Sequence, residues 1–429
     1  MLSRAGAAVQ KRLYTIVFLF IVAAGYLPVW KDGLSIIWNL DGIGQYFPSF
    51  LYIGQYLRDF LTGLLHGALV LPVWDLSIAM GEDIVGALNY YGFGDPINLL
   101  AIFATRANGV YVYMFCFFLR LWLAGQTFRL YCREVGMEYR ASLAAALSYA
   151  FCGFAVYGGG RYIEWLSVLI YFPLLLIGAE RIMKDRQKPW ILTLTVAYAA
   201  LCGFYFLYMS CLCLGVYCAV RLVSIYGWKP FRRLLRKCLT LLRHFIPGLL
   251  LAAPVFLPAV SAYLNSERLT QGGSVTDILF SLSSYIPSLN RSLLYAVFDL
   301  FHDQRQLLSG ILLVELLALV LLFTIRSRKA LQLKIAVLTA LIALHLPISG
   351  WVFNAFGETN ERWCFWVHFV FALSFAYVLT VFPSTEIRTS RSDIRFIGRK
   401  PITLAVCVLL LGNILFNLWF LYDDTLVIM

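Results

Sequence analysis

Charge is scarce in this chain. Asp, Glu, Lys and Arg make up only 14% of its 429 residues, against about 25% in an average soluble domain. With 61% of residues hydrophobic, a water-soluble fold would leave large apolar patches on its surface, which soluble proteins avoid. Histidine is equally sparse, and His66, His244, His302, His345 and His368 show no zinc-binding spacing. The ten cysteines lie mostly inside apolar runs, where cysteine behaves as a small hydrophobe. The large polar loops hold almost none, which excludes a disulfide framework. Cys211 and Cys213 stand two apart and do not share a helix face, so they make a poor metal pair. No metal or other cofactor is implied by these patterns. Long basic tracts are also missing. The net charge of +12 is therefore not a nucleic-acid footprint. No period of 20–50 residues marks a repeat array.

What remains is a series of apolar runs of about 17–25 residues, long enough to cross a hydrocarbon core about 30 Å thick. They predict an all-α, polytopic integral membrane protein with about eleven spans, near 13–30, 109–131, 141–158, 163–181, 189–201, 203–224, 239–263, 307–325, 331–347, 363–382 and 401–421. The first apolar stretch exceeds the h-region of a cleaved signal peptide, so it reads as a retained helix. Basic residues test the alternation of loops. All but eight of the 35 Lys and Arg fall in one set of loops and adjoining span ends, with Arg120 counted among them although it lies mid-span. The exceptions are Lys31, Arg58, Arg106, Arg161, Arg268, Arg291, Arg305 and Arg362. The positive-inside rule then places the N-terminus in the cytoplasm and the C-terminus outside, in a plasma membrane. The whole chain, 1–429, reads as a single transmembrane domain with two large outside loops, 31–108 and 265–306.

The first outside loop is not a solvated linker. From Gly44 to Leu65, apolar residues recur at three- and four-residue steps, the pattern of an amphipathic helix in the interface plane. Between Gly81 and Asn98, carboxylates, tyrosines and glycines crowd together, and Gly92, Gly94 and Pro96 predict turns. Asp41 stands just after the first span and just before the amphipathic stretch. A carboxylate on an interfacial shelf suits chemistry on a lipid head group, while an N-cap or a solvated loop acid is the plainer role.

The residues here resemble a known family. The stretches Asp41–Gly42–Ile43–Gly44–Gln45–Tyr46, Asn89–Tyr90–Tyr91–Gly92–Phe93–Gly94–Asp95–Pro96–Ile97–Asn98, Leu147–Ser148–Tyr149–Ala150–Phe151–Cys152–Gly153–Phe154, Gly203–Phe204–Tyr205–Phe206 and Phe353–Asn354–Ala355–Phe356–Gly357 with Asn360–Glu361–Arg362–Trp363 occur in the order found in bacterial YfhO-like membrane proteins, a group with the GT-C glycosyltransferase fold. The resemblance implies transfer of a sugar from an isoprenyl-phosphate-linked donor to a cell-envelope acceptor at the outer face. It implies that Asp41, the acid of the first outside loop, acts as base. Gln45, Asp83, Tyr90, Tyr91, Asp95, Asn98, Asn354 and Asn360 become candidates for substrate contact. This chain is shorter than typical members, so a protein partner is expected if it is a truncated form.

The leaving phosphate needs cations, and arginine offers two parallel donors to phosphate oxygens. Outside arginines are few. Arg161 and Arg362, at the outer mouths of predicted spans, are the candidates, with snorkelling to membrane lipid head groups as the alternative. Local pairing with Glu164 and Glu361 is a further alternative for these arginines. Two other functions compete with sugar transfer: a lipid or sugar transporter or flippase, and an inactive truncated scaffold. The small number of ionisable residues within the spans, chiefly Glu315 and Arg120, argues against a coupled transporter, which needs an intramembrane charge relay.

Overall fold

A computed structural model describes residues 4–69, 71–227, 230–265, 313–357 and 360–382. Among them helices dominate. The sheet is a two-residue hairpin, β1 (Trp74–Asp75) antiparallel to β2 (Glu82–Asp83). The helices are α1 (Arg4–Lys31), α2 (Phe47–Leu65), α3 (Ile84–Leu88), α4 (Gly109–Glu134), α5 (Tyr139–Ala150), the single turn α6 (Gly159–Arg161), α7 (Leu166–Met183), α8 (Trp190–Cys202), α9 (Phe204–Tyr226), α10 (Phe231–Leu264), α11 (Leu313–Thr324), α12 (Arg328–His345), α13 (Pro347–Phe353) and α14 (Phe365–Val381). Ten of the eleven predicted spans coincide with helices; the run at 401–421 and the loop at 265–306 lie outside the described residues. Among the described residues, six helical stretches are long and apolar enough to cross a membrane: Gly109–Glu134, Tyr139–Arg161, Ile163–Met183, Phe204–Tyr226, Phe231–Leu264 and Arg362–Val381.

The chain divides into two compact units, residues 1–131 with 158–272, and 132–157 with 273–429. In the first, α7 and α8 pack together and α10 lies along α8. α8 and α9 are separate helices divided at Gly203, whose φ of 138° and ψ of 146° are open only to glycine. Glu180 ties α7 to α9. It is fully buried and accepts from Arg221 through Nε (2.5 Å) and Nη2 (3.0 Å) and from the Tyr217 hydroxyl (2.6 Å), with Lys184 alongside. α10 contains Pro247, Pro254 and Pro258. Thr193 of α8 donates to the His244 carbonyl at 2.8 Å, and a Cβ on Gly248 would stand 2.6 Å from the Thr193 carbonyl. The C-terminal end of α10 packs on α3. In the second unit, α14 packs against α5, α11 and α12. Glu138 caps α5 through the Ala141 amide, and Ser327 caps α12 through the Ala330 amide.

The first loop is built as a docked shelf. A π-helical turn, Gly42–Tyr46, leads directly into α2, matching the amphipathic stretch expected at 44–65. α2 buries Phe50, Ile53 and Gly54 and leaves Leu61, Leu64 and Leu65 exposed. Its buried face rests on a 3₁₀ segment, Pro96–Phe103, and on the ring of Tyr113. Arg58 latches the two by donating to the Ile102 and Ala104 carbonyls at 2.9 and 2.6 Å. The Tyr52 hydroxyl donates to Asp75 at 2.6 Å, and with the Ser77 amide and hydroxyl it holds that carboxyl below the usual range. Gly54 is where the shelf meets its support: a Cβ there would lie 2.2 Å from the Ala101 carbonyl oxygen. Gly54→Ala should therefore force α2 off the 96–103 segment, at a cost of about 1–3 kcal/mol typical of overpacking. A lowered thermal midpoint in detergent checks this, and an unchanged midpoint would show that the shelf is not tightly docked.

Candidate functional site

Asp41 sits at the head of the π turn, half-buried, where the chain leaves α1 and enters the shelf. Its carboxylate does not cap that turn. Instead Gln45, one turn on, donates to Oδ1 at 3.1 Å, and the Tyr91 hydroxyl donates to Gln45 Oε1 at 2.7 Å. The Tyr162 hydroxyl approaches the other oxygen, Oδ2, at 3.4 Å. That distance exceeds an ordinary O–H···O bond, so Oδ2 is only loosely held.

Aromatic rings surround this carboxylate. Tyr46 lies within 5.0–5.1 Å of Tyr91 and Tyr162, and Tyr90 packs on Tyr91. Tyr162 stacks on Trp165 at 4.4 Å and meets Trp38 edge-on. Arg161 lies over the Trp38 ring, its guanidinium carbon 4.7 Å from the centroid, a cation–π contact. Burial holds the Tyr46 phenol well above its ordinary pKa, so it stays neutral. The result is a half-open aromatic enclosure with a carboxylate on one wall and a guanidinium near another. It can grip an apolar-faced, hydroxyl-rich ligand, accept a proton and meet an anion.

The remaining candidates of this unit take other places. Asp83 caps α3, accepting from the Gly86 amide at 2.5 Å. Asp95 and Asn98 are buried, each only 1% exposed, behind the enclosure. Asp95 caps the 3₁₀ segment through the Ile97 amide (2.9 Å) and pairs with Arg120 Nη2 (2.8 Å). Arg120 also donates to Asn98 Oδ1 (2.7 Å) and to the Ser167 hydroxyl (3.2 Å), and Ser167 donates to Asp95 (2.5 Å). Gly92, with φ of 78°, fits this knot because a Cβ there would fall 2.4 Å from Asn98 Nδ2. This corrects two expectations. Arg120 is not a span-end charge but a fully buried partner of Asp95, and Glu164 does not pair with Arg161, since neither of its oxygens has a hydrogen-bond partner. Among the described residues, no three His, Cys, Asp or Glu gather as metal ligands.

Arg362, Asn354 and Asn360 belong to the second unit. Asn360 accepts from the Arg362 amide through Oδ1 (3.2 Å) and from the Trp363 indole through its carbonyl (2.9 Å), fixing Arg362 at the head of α14. The Phe353 and Trp363 rings stack at 5.1 Å. Trp38, Tyr46, Tyr162, Trp165, Ser167 and Glu164 were not among the expected site residues. Tyr162, Glu164 and Trp165 lie beside Arg161 in one short stretch, and that clustering of aromatics and charge at a span mouth was the available signal.

The sequence profile of the family described as "Bacterial membrane protein YfhO" matches residues 14–427. The chain belongs to the YfhO family. Among curated proteins it is similar to the uncharacterized protein YfhO of Bacillus subtilis (strain 168), at 21% identity over 90% of this chain and 42% of that protein. The chain thus spans less than half the length of that relative. No solved structure matches it. Family membership agrees with a multi-pass bacterial membrane protein, and it covers the π turn, the shelf, the aromatic enclosure and the buried Asp95–Arg120 pair alike.

Proposed function

We propose that this YfhO-family protein is a membrane glycosyltransferase of GT-C type. It moves a sugar from an isoprenyl-phosphate-linked donor to a cell-envelope polymer or glycolipid at the outer face. The observation that carries the reading is Asp41, with one carboxylate oxygen loosely held inside an aromatic enclosure on an interfacial shelf. The donor's isoprenyl tail stays in the bilayer and its sugar enters the enclosure. The acceptor hydroxyl attacks the anomeric carbon as the phosphate leaves, through an oxocarbenium-like transition state. Asp41 Oδ2 takes the hydroxyl proton. Arg161 meets the charge growing on the phosphate. Gln45, Tyr90 and Tyr91 line the sugar.

The deciding experiment supplies the purified full chain with isoprenyl-phosphate sugars and envelope acceptors. Consumption of donor with appearance of glycosylated acceptor supports the reading, and no consumption under any supplied pair removes it. A second reading, lipid or sugar transport, gains from the buried Asp95–Arg120 pair and Glu164, because intramembrane ionisable groups mark transport pathways. Flux across liposomes without donor consumption would favour it. The proposed orientation has its own check. Cysteines introduced by Asp41→Cys and Arg362→Cys should react with an impermeant reagent in intact cells, and one introduced by Arg233→Cys should not. Labelling at 233, or protection at 41, overturns the orientation.

A further inference from the structure

Glu164 opens the turn leading into α7, and the Asn98 amide that faces it donates to the Gly92 carbonyl. Glu164 is 7% exposed, yet neither carboxylate oxygen has a hydrogen-bond partner. The Tyr46 hydroxyl and Asn89 Nδ2 are likewise buried and unpartnered. The titratable and charged groups facing Glu164 are Tyr46 from the π turn, Asp95 from the head of the 3₁₀ segment, and Tyr113, Cys116 and Arg120 from α4. Arg120 is the cation among these, and its donors already serve Asp95, Asn98 and Ser167. If Glu164 were ionised, two carboxylates and one guanidinium would leave a net negative charge among apolar groups. An unpaired buried carboxylate is so costly that such groups are neutralised instead.

A metal cation is a poor neutraliser here. Hard cations take about six or more oxygen ligands, and the Arg120 guanidinium stands beside the site. A proton needs a single oxygen. We propose that Glu164 is a proton-binding site: it holds a proton at neutral pH, and that proton exchanges with the outer solution past Tyr46 and Tyr162. Binding converts the carboxylate to the neutral acid. Release returns a proton to solution and leaves Arg120 with two carboxylates to serve in place of one. The proposal is independent of the chemistry assigned to Asp41.

Infrared spectroscopy of the full chain in lipid nanodiscs tests it. At neutral pH the protein should show the carbonyl stretch of a protonated carboxylic acid, shifting in D₂O. Glu164→Gln copies the neutral acid in shape, so it should keep the thermal midpoint and, in a Glu315→Gln background that removes the other buried span glutamate lacking a cation, lose that band. Labelling wild-type glutamate with ¹³C at the side-chain carboxyl should move the same band, which assigns it to glutamate rather than aspartate. The proposal is overturned by absence of the band at neutral pH, by its survival in Glu164→Gln on that background, by no response to D₂O, or by a band that appears only when sodium is withdrawn.

Discussion

Asp41→Asn should lower sugar transfer by about 10²–10⁴-fold, the usual cost of removing a general base, while donor binding survives. Asparagine keeps the shape and can still meet Gln45 and Tyr162, but it cannot accept the hydroxyl proton. The effect belongs in kcat rather than in donor affinity, because Oδ2 is proposed to act on the acceptor as the bond forms. Arg161→Lys should behave differently. Lysine keeps the charge and loses the planar group that lies over Trp38, so donor affinity falls along with rate. Steady-state transfer and donor-binding isotherms separate the two. Full transfer in an active Asp41→Asn preparation would end the base assignment. Unchanged donor affinity in Arg161→Lys would make that arginine a membrane anchor.

Arg120→Met should produce the largest loss of stability. The Asp95–Arg120 pair is buried on both sides, at 1% and 0% exposure. Removing one member strands the other's charge, which typically costs about 3–5 kcal/mol. Asp95→Asn keeps the cap on the 3₁₀ segment and abolishes the charge. Combining it with Arg120→Met should therefore recover most of the loss, because neither ion is then left alone. Unfolding in mild detergent, followed for wild type, both single variants and the double variant, reads this as a coupling energy. If the double variant is as unstable as Arg120→Met, the arginine matters for packing and not for charge.

Much of the fold was legible in the sequence because a bilayer imposes length and apolarity on each crossing segment, and those survive as composition alone. The shelf helix was legible for the same reason: its three- and four-residue apolar steps show directly in α2. The buried knot was not. Asp95 and Arg120 are 25 positions apart, in a turn and a span, and no periodicity links them. Counting charges by side assigned Arg120 to the cytoplasm because the count carries no knowledge of partners. Glu164 stands three positions beyond Arg161, and nearness in sequence alone suggested a local pair. At Tyr162 the backbone leaves the helix, with φ of −133° and ψ of 86°, and the two side chains part. Of the site, Asp41, Gln45, Tyr90, Tyr91 and Arg161 were visible, whereas Trp38, Tyr46 and Tyr162 were not, because they join the others only through the fold.

The three prolines of α10 have a mechanical consequence. At 34 residues this helix is about 51 Å long, well beyond a hydrocarbon core of about 30 Å. Each proline withholds an amide proton, so the carbonyls of Arg243, Leu250 and Pro254 go without their usual helical donor. A helix with such gaps bends there more readily than elsewhere. α8 lies along α10, close to His244 and Gly248 at one end and near Val255 at the other, and Pro258 follows toward the end that carries α3. The joints at Pro254 and Pro258 stand nearest the end that carries α3, so a bend there would pass to α3 and to the Asn89–Tyr91 turn that follows it, the turn that supplies Tyr90 and Tyr91 to the enclosure.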